Sequence, residues 1–362
     1  MGIFKPIISY VLKKAAKTLL LALSCCLVCA CCLYASFSEI FGTRNSALGK
    51  SGVAAASGVS EIFVNPAGLS LMDDNEIIFE YQKPFLGSEE PGYDIPGYHS
   101  IDISKGCAAV GISLPESAGY LSVFYGMFDS NSQYRESAYG LGYSRPLDDI
   151  ILKESGERFF VGANFKYLSV DYRSDDYTEE FFSRYGGGST GFAADFGLKY
   201  SPSEDINFGL SLINALSSDL GLLYENKPEQ QMYFGSAFKA SRRLELLLSY
   251  SQKASYPGSN FHLGASYEIV RDQCELLLGG NKNEITAGFG INFKDKPDIL
   301  IINYAYSFPL MLSDNYGTHG ISVLFKLPSS REKSSGDIDV TEEDSDADGN
   351  VKKKKKSRSR IK

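Results

Sequence analysis

From about residue 75 to residue 327, apolar and polar residues change places at nearly every step. Phe192, Ala194, Phe196, Leu198 and Tyr200 fall on one face, and Ala193, Asp195, Gly197 and Lys199 on the other. Phe261, Leu263, Ala265, Tyr267 and Ile269 oppose His262, Gly264, Ser266 and Glu268. Leu300, Ile302, Tyr304, Tyr306 and Phe308 alternate with Ile301, Asn303, Ala305 and Ser307; Ile321, Val323, Phe325 and Leu327 alternate with Ser322, Leu324 and Lys326. A period of two is the signature of strands. Centres near 79, 110, 123, 139, 164, 195, 210, 235, 247, 265, 276, 288, 303 and 322 predict about fourteen of them. Short turns such as Arg242-Arg243, Arg271-Asp272 and Lys282-Asn283 separate several.

Alternation alone does not say which face is inside, because a soluble sandwich alternates too, with its apolar face inward. Three features favour apolar faces turned out to lipid. The runs match the ~9–11 residues that cross a bilayer when tilted. The minor faces are rich in Gly, Ser and small polar residues, as a lumen would be. An export signal precedes them. Single-chain bacterial barrels have even strand numbers, and an open edge is not tolerated in lipid. The expected fold is therefore all-β: a closed transmembrane antiparallel barrel of about fourteen strands, with twelve and sixteen as neighbouring counts. The longer connections, residues 87–98, 174–188 and 216–229, are expected outside the cell. In the last, Leu220, Leu222 and Leu223 predict either a short apolar helix at the rim or an ordinary surface loop.

The signal itself has three parts: basic residues Lys5, Lys13, Lys14 and Lys17, an apolar run to Leu33, and a polar change at Ser36. That is a secretory pattern, too short for the ~20 residues of a spanning helix. Cleavage after Ala35 is expected. The alternatives are an uncleaved anchor, or lipoprotein processing at Cys31 in Val28-Cys29-Ala30-Cys31. Five of the seven cysteines lie here, leaving Cys107 and Cys274 to pair or to stand as isolated small residues.

Removing residues 1–35, with four lysines and no acids, takes the net charge from −8 to −12. So acidic an exported chain is a poor partner for nucleic acid. The chain has 23 Tyr and 23 Phe but no Trp, so Tyr and Phe alone would form any interfacial girdle. From Pro328 the chain turns acidic and then basic, which reads as a disordered periplasmic tail. Within it, Asp344-Ser345-Asp346-Ala347-Asp348-Gly349 opens like a calcium loop, but Lys355 stands at the twelfth position and Lys352 to Lys356 would repel a cation. No metal and no cofactor is expected.

Between signal and first strand runs Gly42-Thr43-Arg44-Asn45-Ser46-Ala47-Leu48-Gly49, then a small-residue stretch, then Asn65-Pro66-Ala67-Gly68-Leu69. Such a stretch cannot build its own core but can pack inside something else. Pro66 fixes its backbone and restricts Asn65, and Asn65 can bond nearby amides. The segment reads as a bent plug anchored by Leu69, or more simply as a turn into the first strand. Together with Phe196-Gly197-Leu198-Lys199-Tyr200, Asn207-Phe208-Gly209-Leu210-Ser211, Asn214, Phe261-His262-Leu263-Gly264 and Thr318-His319-Gly320-Ile321-Ser322, it resembles the FadL-type outer-membrane barrels and the PorV/PorQ family. The resemblance implies a bacterial outer-membrane location and an N-terminal plug. It implies one of two roles: passive uptake of small hydrophobic molecules such as long-chain fatty acids, or a PorV-like protein-binding part of a type IX-type secretion system. Outer-membrane lipids, and either a hydrophobic ligand or secretion proteins, would be the partners.

The organisation expected is thus signal 1–35, plug 36–72, barrel 73–327 and charged tail 328–362. No Gly-x-Ser-x-Gly and no His-Glu-x-x-His occurs, and His99, His262 and His319 lie on separate elements, so no nucleophile–base pair is nominated and no enzyme is expected. The lumen candidates are Asn164, Lys166, Asp195, Lys199, His262, Glu268, Asn303 and His319, read as pore-lining groups that hold the interior by charge pairing.

Overall fold

β-Branched and aromatic residues at every second position make strands here, and the strands close on one another. A computed structural model describes residues 34–37, 42–87, 102–115, 118–130, 133–147, 157–254, 260–293, 299–312, 315–327, 343–345 and 351–353. Fourteen strands follow in chain order. They are β1 (Asn75–Lys83), β2 (Ile103–Ser113), β3 (Tyr120–Ser130), β4 (Tyr134–Pro146), β5 (Arg158–Tyr172), β6 (Gly188–Ser201) and β7 (Ile206–Ser217). The second half comprises β8 (Gln231–Lys239), β9 (Leu244–Lys253), β10 (Asn260–Val270), β11 (Cys274–Asn281), β12 (Glu284–Phe293), β13 (Ile299–Pro309) and β14 (Thr318–Leu327). Each pairs antiparallel with the next, and β14 closes on β1 through pairs such as Val323↔Phe79. The expected count of fourteen is the observed one.

The wall is apolar outside and polar inside. Phe79, Val123, Leu141, Phe165, Phe261 and Leu263 are each more than half exposed, whereas the polar Glu76, Asn164, Asp195 and His262 are almost completely buried. This is the face assignment that suits lipid rather than water as outer solvent. Because neighbouring strands run opposite ways, the chain leaves β1, β5 and β7 at one and the same end of the barrel, the loop end. The tight connections of the opposite, turn end include Arg242-Arg243 and Arg271-Asp272. In one long loop, helix α2 (Glu179–Tyr185) stacks Phe182 on Tyr172 at 5.6 Å. Of the two readings of residues 216–229, the structure shows the surface loop, with no helix around Leu220. Asp219 instead accepts the N–H groups of Gly221 and Asn226, at 2.9 and 2.8 Å, which hold its carboxyl below the usual range and commit the loop to a turn. Leu220 is buried, and Leu223 stays exposed.

One irregularity shapes the lumen. The β6–β7 register shifts between Ala194↔Leu216 and Phe196↔Leu212, so extra residues of β7 form a bulge at Asn214, whose φ is +52°. Bulges re-aim side chains. Simple alternation from Phe208, Leu210 and Leu212 would put Asn214 outside; the bulge buries it completely.

Inside the wall lie residues 42–72: helix α1 (Thr43–Ala47), then turns at Val59–Glu61 and Pro66–Leu71. Val53, Val59, Ile62, Ala67 and Leu69 are buried, the last in a cluster with Ile78, Ala109, Phe124 and Leu324 of the wall. Cys107 and Cys274 are both free. A second unit, residues 330–362, is described only as an antiparallel pairing of Glu343–Ser345 with Val351–Lys353. The signal before Tyr34, the rest of the tail and most of its calcium-like stretch lie outside the described residues.

Candidate functional site

The plug runs between the loop end and the turn end and is tied to the wall along its whole length. Its first turn is held by Glu80, which accepts the N–H groups of Gly42 and Thr43 at 3.0 and 3.1 Å. Arg44 meets Glu275 with two hydrogen bonds, Nε to Oε1 at 2.9 Å and Nη2 to Oε2 at 3.1 Å, a bidentate geometry that fixes orientation as well as charge. Thr286 donates to the Ala47 carbonyl at 2.8 Å. His262 lies 2.8 Å from the Gly49 carbonyl through Nδ1 and 2.8 Å from Ser251 Oγ through Nε2. Lys50 pairs with Glu284 at 2.9 Å. Further along, Lys199 donates to the Ala56 carbonyl, Glu76 accepts the Val59 N–H at 2.7 Å, and Asn164 donates to the Ile62 carbonyl.

The Asn65-Pro66-Ala67 motif sits where two wall glycines let backbone touch backbone. Asn65 donates to the carbonyls of Val53 (2.9 Å) and Leu198 (3.1 Å) and accepts the Ala67 N–H, so it caps the turn that Pro66 starts. A Cβ on Gly197 would lie 2.2 Å from Asn65 Oδ1, and one on Gly162 would lie 2.3 Å from the Pro66 carbonyl carbon. Ser144 donates to the Ala67 carbonyl from the other side. The plug and the wall therefore specify each other.

Towards the loop end the lumen polar groups form one connected cluster. Lys166 lies 2.6 Å from Asp195 and donates to Asn214 at 2.6 Å. Asp195 also accepts from Asn164 Nδ2 and from the Asn214 N–H. Asn214 donates onward to the carbonyls of Glu229 (3.0 Å) and Phe37 (3.2 Å). Buried polar groups stabilise one another by bonds of this kind, and within this cluster the Asn164 Oδ1 is the atom left without a partner.

This cluster forms one side of a cavity of about 60 Å³ between Phe63 of the plug and Phe37 at the mouth. Phe124, Phe128, Leu168 and Ile213 supply apolar lining; Lys105, Glu136, Lys166 and Asp195 supply charge. Larger hollows, of about 950 and 510 Å³, lie along the wall. They are open dents bordered by exposed Leu246, Leu263 and Leu278, or by Phe79, Val110 and Tyr139, so they hold surrounding solvent rather than an enclosed ligand.

Of the residues nominated from sequence, Asn164, Lys166 and Asp195 meet in one cluster. Lys199 and His262 act separately, each on a plug carbonyl. Asn303 faces inward and donates to Ser322 at 3.1 Å. Glu268 is half-buried near the turn end, opposite Glu275. His319 is a correction: it is not in the lumen. It pairs with Tyr306 across the ladder, shares the face of Ile321, and sits 2.7 Å from the Tyr304 hydroxyl on the outer wall. Its place two residues before Ile321 already set that face. The structure adds Glu76, Glu80, Glu275, Thr286 and Asn214 to these, of which all but Asn214 lie on minor faces by plain alternation. Among the described residues no group of three or more His, Cys, Asp or Glu could hold a metal ion.

No protein-family model matches the sequence, and no curated protein sequence matches it. Solved structures do resemble the fold. One is a deletion mutant of TodX, titled a monoaromatic hydrocarbon channel: TM-score 0.53, 12% identity, covering 79% of this chain and 98% of that one. Another is a Pseudomonas aeruginosa FadL homologue: TM-score 0.50, 12% identity, covering 80% and 98%. Identity this low speaks to fold alone, and the fold agrees: a closed fourteen-strand barrel of the FadL type.

Proposed function

We propose that the chain is a bacterial outer-membrane channel for passive uptake of small hydrophobic molecules, long-chain fatty acids among them, and that its plug gates the path. The observation that carries this reading is the pairing of a lipid-suited outer wall with a lumen closed by a segment of the same chain, under a half-apolar cavity at the loop end. Ligand pockets usually measure about 300–1,000 Å³. The cavity, at about 60 Å³, is far below that, so the arrangement described is a closed one. Passage would require Phe37, Phe63 or the backbone beside them to move. That the similar structures are titled as a hydrocarbon channel and a FadL homologue supports the same reading. Its chemistry is binding and diffusion, not bond making.

The test is uptake of a labelled long-chain fatty acid and of toluene by cells that lack their own channel and express this chain. The parent protein should raise uptake above empty cells. Asn65→Ala with Pro66→Ala should assemble but change the rate. Assembled protein with no uptake of either probe would overturn the proposal. A secreted protein co-purifying with it would then favour the PorV-like secretion role.

A further inference from the structure

The middle of the plug buries a carboxyl group that lacks a donor. Glu61 ends the turn at Val59–Glu61, and its carbonyl accepts the N–H groups of Val64 and Asn65 at 2.9 and 3.0 Å, so its backbone is built into the turns on either side. The residue is 4% exposed, and its Oε2 has no hydrogen-bond partner. Gly42, at φ +122°, lies between it and a second carboxylate. The Gly42 N–H donates to Glu80 Oε2 at 3.0 Å, and a Cβ on Gly42 would stand 3.7 Å from Glu61 Oε2.

The cations around Glu61 are committed elsewhere. Arg44 of α1 is bound by Glu275 of β11 through two hydrogen bonds, and Lys199 of β6 donates to the Ala56 carbonyl at 3.1 Å. The other groups that act on it are acids, Glu275 and Glu80; Cys107 of β2 acts in turn on Glu80, and Glu245 of β9 on Arg44 and Lys199. An ionised carboxyl here would bear the loss of solvent with no donor on Oε2 to offset it, and such groups take up a proton instead. Burial, the largest influence, pushes the Glu61 carboxyl up to about 7; Arg44 and Lys199 oppose the rise and Glu275 adds to it. Glu80 differs, because it accepts the backbone N–H groups of Gly42 and Thr43, and such donors favour the charged form.

We propose that Glu61 carries a proton while the plug is seated and that loss of this proton as pH rises loosens the plug, a proton latch inside the lumen. A carboxyl that holds its proton more tightly when seated than when exposed stabilises the seat fully below the exposed value of ~4.3. That stabilisation is lost as pH rises through the seated value. Ionised Glu61 would face Glu80 and Glu275, and unseating gives it water and relieves the repulsion. As a control of uptake the latch rests on the transport reading; as a property of the plug it stands without it.

The test is hydrogen exchange at residues 42–72 of the full protein in detergent, with unheated gel mobility confirming a folded barrel at each pH. After scaling for the pH dependence of exchange itself, plug opening in the parent should rise roughly tenfold per pH unit above the ordinary carboxyl value, by about 100-fold in all, and level off above neutrality. Glu61→Gln, which mimics the protonated group, should open to the same small extent at every pH. Glu61→Met, which fills the space with nothing to titrate, takes its place if the glutamine variant fails to assemble. Parent opening that does not change with pH overturns the proposal. So does a pH dependence that survives in the Glu61 variant or disappears only in Glu80→Gln, since the proton would then sit elsewhere. A pH-dependent plug in a protein that passes neither fatty acid nor toluene would leave the latch standing and remove the transport reading; uptake through a plug indifferent to pH would do the reverse.

Discussion

Adding one methyl group to the wall at Gly197 or Gly162 should loosen the plug without unmaking the barrel. At Gly197 the new Cβ would lie 2.2 Å from Asn65 Oδ1 and 2.9 Å from the Ala67 nitrogen. At Gly162 it would lie 2.3 to 2.5 Å from backbone atoms of Pro66 and Ala67. At Gly162 the atoms met are all backbone, and at Gly197 the nearest is the Asn65 amide oxygen, which its bond to the Ala67 N–H holds in place, so overpacking should cost about 1–3 kcal/mol. If the segment lifts away instead, Asn65 loses its bond to the Leu198 carbonyl, worth about 1 kcal/mol net. A cost of about 3 kcal/mol placed on the seated plug raises the unseated population roughly 100-fold, at 1.4 kcal/mol per tenfold. The two substitutions press on the same turn, so together they should fall short of additive. Gly106→Ala is the control, since its Cβ would meet nothing closer than 3.4 Å. Hydrogen exchange at residues 42–72, read by mass spectrometry on protein whose unheated gel mobility shows a folded barrel, measures the effect. Parent-like exchange in Gly162→Ala and Gly197→Ala would refute the reasoning, and so would equal loosening by Gly106→Ala.

Two further expectations concern other parts of the wall. Leu263, at 62% exposure in the outer belt, should not tolerate charge: Leu263→Arg should cost about 2–4 kcal/mol at bilayer mid-depth and slow assembly into lipid vesicles, and unimpaired assembly would mean that this face meets water. Arg44 and Glu275 remain about a quarter exposed, so a double-mutant cycle with Arg44→Gln and Glu275→Gln should return a coupling of about 1–2 kcal/mol rather than the full value of a buried charged bond. Zero coupling would reduce the pair to a coincidence of packing.

The strands were legible because lipid imposes one rule on one face of every strand, and that rule is written locally at every second residue. Phe196 with Leu198 and Leu263 with Tyr267 announce the outer wall without any knowledge of their neighbours. The lumen has no such rule. Its residues answer to whatever lies opposite, and that depends on the path of the plug. Glu80 looks like an ordinary polar residue on a minor face until Gly42 and Thr43 are placed against it. Asn214 is harder still, since plain alternation puts it outside and only the bulge brings it in. A hint existed in its type, because asparagine tolerates positive φ better than most residues. His319 is the converse case: its type suits a lumen, but its register, two residues before Ile321, puts it on the outer face. The Asn65-Pro66-Ala67 turn was readable because its three constraints are local: a cap, a fixed φ and a restricted predecessor.

The distribution of anchors bears on how the plug could move. Tethers to the wall run from Gly42 and Thr43 on Glu80, through Arg44, Ala47, Gly49, Ala56, Val59 and Ile62, to Asn65 and Ala67. At about 1 kcal/mol each, breaking all of them together would cost on the order of 10 kcal/mol, which leaves fewer than one molecule in about ten million unplugged. Withdrawal of the whole segment is therefore rare. A local change is different. Phe63, the floor of the cavity, lies between the Ile62 carbonyl held by Asn164 and the Asn65 side chain held by Leu198. Releasing those two tethers and the edge-on contact of Phe63 with Phe124 at 5.0 Å costs about 3 kcal/mol and would leave under about one per cent of molecules open at any time. Anchors at both ends then serve a purpose that a loosely held plug could not: they confine the movement to the short stretch that closes the cavity and return it to the same seat.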